Sequence, residues 1–149
     1  MALTVIPDVV SGQTIRSLRP AATAQEAARL MREYDISAVV VLDDADRLVG
    51  IVTERDLARR VVAEDRQGSA LPLGEVMSTK PAVIAAGASP FDALEQMRKL
   101  RVRHLPVVEG ERVVGMISMR DLRHAINAAG GRGPGALARL LRAVTGGTR

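Results

Sequence analysis

Apolar residues fall along this chain in a pattern that runs through once and then begins again. The segment TAQEAARLMREYDI places Ala27, Met31 and Tyr34 at i, i+4 and i+7, the spacing of one helix face. The segment SPFDALEQMRKLRV places Ala93, Met97 and Leu100 the same way, so both predict helices whose apolar stripe faces a core. Thr23 stands three residues before Glu26 and Ser89 three before Asp92, with Pro90 at the first helical position; these are helix-start signals. Short β-branched runs follow at 39–42 and 48–52, and again at 105–108 and 113–117. Acidic or glycine-containing turns join each pair, which predicts a hairpin in each half. An earlier strand is expected near 14–18 and near 82–85. Leu57 with Val61, and Leu122 with Ile126, open a second helix. Each half therefore reads strand, helix, strand, strand, helix.

The echo is register-true. The first helical segment aligns on the second at an offset of 66, and one extra residue in the loop 43–46 reduces the offset to 65. Both copies then close on the same words, GIVTERDL at 50–57 and GMISMRDL at 115–122. An internal duplication organises the chain into a first repeat at 5–66, a linker at 67–75, a second repeat at 76–129 and a basic Gly/Arg tail at 130–149 that is expected to be poorly ordered. Units of about 60 residues bury too little surface to be comfortable alone, so the copies are expected to pack on each other.

The closing motif sits where a strand ends and a helix starts, a position whose free N–H groups and dipole favour anions. Thr53 with Asp56 and Ser118 with Asp121 are sufficient as capping boxes. Two features go beyond a cap. An arginine precedes each aspartate, Arg55 and Arg120, and a glycine opens each motif within a strand, where it usually costs stability and so suggests a close approach. A hydroxyl and an arginine can hold a phosphate while an aspartate accepts both hydroxyls of a ribose, a division of labour suited to a nucleotide.

With these pieces in order the chain resembles a tandem pair of cystathionine-β-synthase (CBS) domains, the regulatory arrangement called a Bateman module. The resemblance covers about 5–129 and rests on GIVTERDL, GMISMRDL, the hydrophobic runs ISAVVVLDD and VRHLPVVEG, and VMSTKPAVI at the start of the second copy. It implies an α/β (α+β) fold of two β-α-β-β-α repeats, packed sheet to sheet about a pseudo-twofold axis and leaving two clefts. Such clefts hold adenosine-containing ligands: AMP, ADP, ATP, S-adenosylmethionine and NAD-type dinucleotides. Two modules commonly pair as a homodimer. Carried over by position, Asp56 and Asp121 would take the ribose hydroxyls, Thr53 and Ser118 the phosphate, with Arg55 and Arg120 assisting. Thr14, Ile15, Val39, Pro81, Ala82 and Leu105 would surround the base.

The copies differ in charge. Arg103 and His104 replace Ser37 and Ala38, adding cations near the second phosphate position only, while Glu54 stands where the second copy has Met119. The second site is therefore expected to be the better one. Composition narrows the rest. Hydrophobic residues make up 47% and charged residues 26%, with one Phe, one Tyr and no Trp, so the core must be aliphatic. The net charge of +4 is concentrated at the end: the tail holds Arg132, Arg139, Arg142 and Arg149 and no acid, and without them 17 basic groups face 17 acidic ones. Four arginines without aromatics make a thin nucleic-acid interface.

With no cysteine and no targeting or membrane-spanning segment, a cytoplasmic protein is expected. Two histidines supply no metal-ligand spacing, and no nucleophile or phosphate loop is present, so binding is expected and catalysis is not. The resulting expectation is a stand-alone regulatory module that requires no cofactor. It would sense an adenosine nucleotide, signal through a homodimer, and act in trans on an enzyme or transporter. The alternatives are a ligand-free dimerisation scaffold and weak nucleic-acid binding through the tail.

Overall fold

A computed structural model describes residues 3–128. The tail expected at 130–149 lies outside the described residues. Within them the expected order appears twice: β1 (Ser17–Leu18), α1 (Ala24–Tyr34), β2 (Ala38–Leu42), β3 (Leu48–Thr53) and α2 (Glu54–Leu57), then β5 (Ile84–Ala85), α3 (Pro90–Leu100), β6 (His104–Glu109), β7 (Arg112–Ser118) and α4 (Met119–Ala128). A further short strand, β4 (Ser78–Thr79), lies between the two series. The fold is mixed α+β, with one four-stranded sheet ordered β1-β2-β3-β4 and one three-stranded sheet ordered β5-β6-β7.

Local chemistry explains the helices. At α1, Thr23 Oγ1 accepts the Glu26 N–H at 3.2 Å and Glu26 accepts the Thr23 N–H at 2.6 Å, a complete capping box. At α3, Ser89 Oγ accepts the Asp92 N–H at 3.0 Å and Pro90 occupies the first turn. Both helices stop on a left-handed residue at matching repeat positions, Asp35 (φ 51°) and Arg101 (φ 55°). Ala27, Met31, Ala93 and Met97 are buried as their spacing requires, but the stripe ends one turn early. Tyr34 and Leu100, expected at the core, are 40% and 50% exposed. Tyr34 instead lies under Arg16, whose guanidinium stands 3.6 Å from the ring centroid.

In the hairpin, Ala38 pairs with Thr53, Val39 with Val52, Val40 with Ile51 and Val41 with Gly50, after which the register slips so that Leu42 meets Leu48. The extra residue of the first copy thus lies beside an irregularity within the ladder and not in the turn alone. β1 and β5 run parallel to β2 and β6, pairing Leu18 with Val41 and Ile84 with Val107. After α2 the backbone widens, and the Ala63 N–H reaches back to the Ala58 carbonyl across the π-helical turn Ala58–Val62.

The chain divides into two compact units that are not its two repeats. One, the Asp56 unit, holds residues 14–82 with 111–113; the other, the Asp121 unit, holds 3–13, 83–110 and 114–128 of the described residues. In the Asp56 unit β4, which opens the second repeat, pairs antiparallel with β3 of the first, Gly50 with Thr79 and Ile51 with Ser78. The linker is part of this core. The Leu71 carbonyl accepts the Ala24 N–H, the Leu73 N–H donates to Ala22, and Leu73 is fully buried among Ala27, Met31, Val39, Val41 and Val52. Leu71 and Val76 pack with Ala24 and Val61.

In the Asp121 unit the same exchange runs the other way. Val5 and Ile6 donate to the Ala88 and Ala86 carbonyls, and the Gln13 side chain bonds both backbone groups of Met116, its Oε1 accepting the N–H at 2.9 Å and its Nε2 donating to the carbonyl at 3.0 Å. A side-chain amide stands there in the role that β4 plays beside β3.

Candidate functional site

The two closing motifs fold alike. At the end of β3, Thr53 Oγ1 accepts the Asp56 N–H at 3.2 Å, while Asp56 Oδ2 accepts from the Thr53 N–H at 2.9 Å and from the Thr53 hydroxyl at 3.1 Å. At the end of β7 the matching bonds are 3.1 Å from the Asp121 N–H to Ser118 Oγ, and 2.7 Å and 2.9 Å onto Asp121 Oδ2. Each carboxylate is thereby anchored through one oxygen, leaving the other for a further partner. Both aspartates are half-buried.

The helix starts are more self-contained than their sequence suggests. The first helical N–H donates to the carbonyl just before a neighbouring strand, Glu54 to Ser37 at 3.0 Å and Met119 to Arg103 at 2.9 Å. The third is taken by the cap hydroxyl. The hydroxyl hydrogen is committed to the carboxylate. A phosphate would draw mainly on the arginines, and Arg55 and Arg120 are both exposed.

The motif glycines have a structural cause. A Cβ on Gly50 would lie 2.3 Å from Met77 Sδ, and one on Gly115 would lie 3.0 Å from Gln13 Oε1. The close approach read from the sequence is that of the exchanged chain segments, Met77 at Gly50 and Gln13 at Gly115.

The remaining candidates divide between the units. Thr14, Ile15, Val39, Pro81 and Ala82 belong with Thr53, Arg55 and Asp56; Arg103, His104 and Leu105 belong with Ser118, Arg120 and Asp121. Val39 and Leu105 are buried side chains, so only their backbones remain to meet a ligand. Thr14 is exposed and Ile15, Pro81 and Ala82 are half-buried. Burial holds the His104 imidazole below its ordinary value, assisted by Arg103 and opposed by the Asp121 carboxylate. Asp121 is thus within electrostatic reach of His104. Among the described residues no three His, Asp or Glu side chains group as metal ligands, and no helix is long and apolar enough to cross a membrane.

One residue of the site was not legible in the sequence. Arg60 reaches Asp56 Oδ1 at 3.6 Å while its Nη1 donates to the Val76 carbonyl at 2.7 Å and to Ser78 Oγ at 3.2 Å. The only available signal was its place four residues after Asp56 on a helix.

Comparison with known proteins agrees with this architecture. A model of the CBS domain matches residues 6–63 and again 73–128. The chain is 34% identical over 117 residues to the CBS domain-containing protein YhcV of Bacillus subtilis, covering 78% of this chain and 81% of that one. Three further curated relatives are longer than the part they share, and the chain spans 52% to 65% of them. The structure of a CBS-domain protein from Burkholderia ambifaria matches with 35% identity and a TM-score of 0.79, over 85% of this chain and 95% of that one. The CBS domain pair of protein MJ0100, solved in complex with 5′-methylthioadenosine and S-adenosylmethionine, matches with a TM-score of 0.77 at 20% identity, over 87% of this chain and 99% of that one, a likeness of fold alone. With one family model matched twice in succession and the same double series of elements in its fold, the chain belongs to the CBS-domain family as a tandem pair of CBS repeats.

Proposed function

We propose that this protein is a stand-alone regulatory module that binds an adenosine compound, AMP, ADP, ATP or S-adenosylmethionine, and signals through a homodimer to an enzyme or transporter acting in trans. The observation that carries this reading is the twice-built carboxylate, anchored through Oδ2 by backbone and hydroxyl and holding Oδ1 toward a further partner. A carboxylate so oriented suits the adjacent hydroxyls of a ribose, both of which can donate to the lone pairs of Oδ1. The adenosyl ligands of the MJ0100 pair are chemically of this class. Within the reading, Asp121 takes the ribose, while Arg103 and Arg120 meet phosphate or carboxylate. A ligand that bound both shapes of the dimer equally would shift nothing, so signalling requires differential affinity.

The test is thermal unfolding of the purified protein with AMP, ADP, ATP and S-adenosylmethionine, in the native sequence and in Asp121→Ala. A ligand at 100 times its dissociation constant adds about 2.7 kcal/mol, and the expected result is a raised melting temperature that Asp121→Ala abolishes. A second reading, a ligand-free dimerisation scaffold, is favoured by the fact that each motif is internally satisfied as a cap and its glycine is explained by Met77 or Gln13. Absence of any shift, from a protein that sediments as a stable dimer, would establish that reading instead.

A further inference from the structure

The two carboxylates are anchored alike but not left alike. Asp56 has a second neighbour built into its own unit: Arg60, one turn further along, faces Oδ1. The ion pair by itself is a weak barrier, since the guanidinium is 45% exposed and 3.6 Å away. The anchor changes that. Nη1 is held by the Val76 carbonyl and Ser78 Oγ, so the guanidinium is fixed beside the carboxylate by the segment that crosses over from the second repeat. A planar fork tethered at one nitrogen keeps its other nitrogen in place at little further entropic cost.

The other copy lacks both side chains that build this device. The position matching Arg60 is Ala125, and the one matching Ser78 is Gly12, whose segment presents no side chain there.

We propose that Arg60 is a specificity-determining residue that closes the Asp56 copy to a ribose, so that the chain binds adenosine ligand at Asp121 only. The proposal rests on the reading of the two aspartates as ribose acceptors. A ribose diol at Asp56 must take Oδ1 from a cation that is still held to Val76, and a neutral hydroxyl is the weaker donor. Drawing Arg60 away from the carboxylate altogether would break the 2.7 Å bond to the Val76 carbonyl and leave that carbonyl without this donor.

The experiment is isothermal titration with AMP of the native protein, Arg60→Ala, Asp56→Ala and the double variant Arg60→Ala/Asp56→Ala. The expected result is one AMP per chain in the native protein and in Asp56→Ala, two in Arg60→Ala, and one again in the double variant. If Arg60→Ala does not melt cooperatively, Arg60→Gln serves in its place, because it keeps an N–H for Val76 while removing the charge from Asp56. One AMP per chain in a folded Arg60 variant overturns the closure while leaving adenosine binding intact. Two in the native protein, with one lost in Asp56→Ala, overturns it too. No binding to the native protein or to any variant overturns the underlying reading and the closure with it.

Discussion

At the level of single residues, the same side chains carry structure and candidate chemistry. Asp121 closes the capping box at the start of α4, its carboxylate accepting the Ser118 N–H, and is the best candidate to hold a ribose, so its loss costs about 1 kcal/mol of stability whether or not a ligand exists. His104 gives a sharper handle. Burial lowers its affinity for a proton in the folded state, so the unfolded chain binds more protons and folding is opposed by acid. Its contribution is fully present above the ordinary histidine value of about 6.5 and is lost as pH falls through that value toward the depressed one. Melting temperatures measured between pH 7.5 and 5.5 are expected to fall less steeply in His104→Gln than in the native protein; parallel curves would refute the assignment. The aspartates were legible because the repeat writes them twice at one spacing. Arg60 was not, because its partners at Val76 and Ser78 come 16 and 18 positions later and only folding brings them to it.

Among the elements, the helices and hairpins were legible because their signals are local: a cap, a stripe of period 3.6, two β-branched runs and a turn. The stripe was misjudged only at Tyr34 and Leu100, since periodicity tells which side faces inward and not how far the opposing sheet extends. The strand β4 was hidden for a different reason. Ser78 and Thr79 carry no apolar alternation, and they form a strand because β3 offers an unpaired edge. The packing of Met77 over Gly50 makes this contact testable. Gly50→Ala is expected to cost about 1–3 kcal/mol by overpacking, and in a Met77→Ala background the same change is expected to cost much less. Additive costs in a thermodynamic cycle would separate the two residues. The glycine itself was recognised as out of place in a strand, but its neighbour could be named only from the structure.

For the whole molecule, the decisive feature is that each repeat gives its opening segment to the unit built on the other. The Asp56 unit needs Leu71, Leu73 and Val76, all buried, and takes β4 as its edge strand. A fragment 1–66, cut at the sequence repeat, therefore lacks part of its core, whereas a fragment 14–82 retains it. Far-UV circular dichroism with thermal melting is expected to show the second fragment substantially more structured than the first. Equal behaviour would mean that the crossing segment is dispensable. Sequence alone determined the duplication, the order of elements in each half, the caps and the family, because repetition and local propensity are properties of the chain read in order. Tertiary structure decided which unit each segment joins, why Gly50 and Gly115 are glycine, and that Arg60, held by Val76 and Ser78, stands beside Asp56. These depend largely on contacts between residues distant in the chain, which reading the sequence in order does not supply.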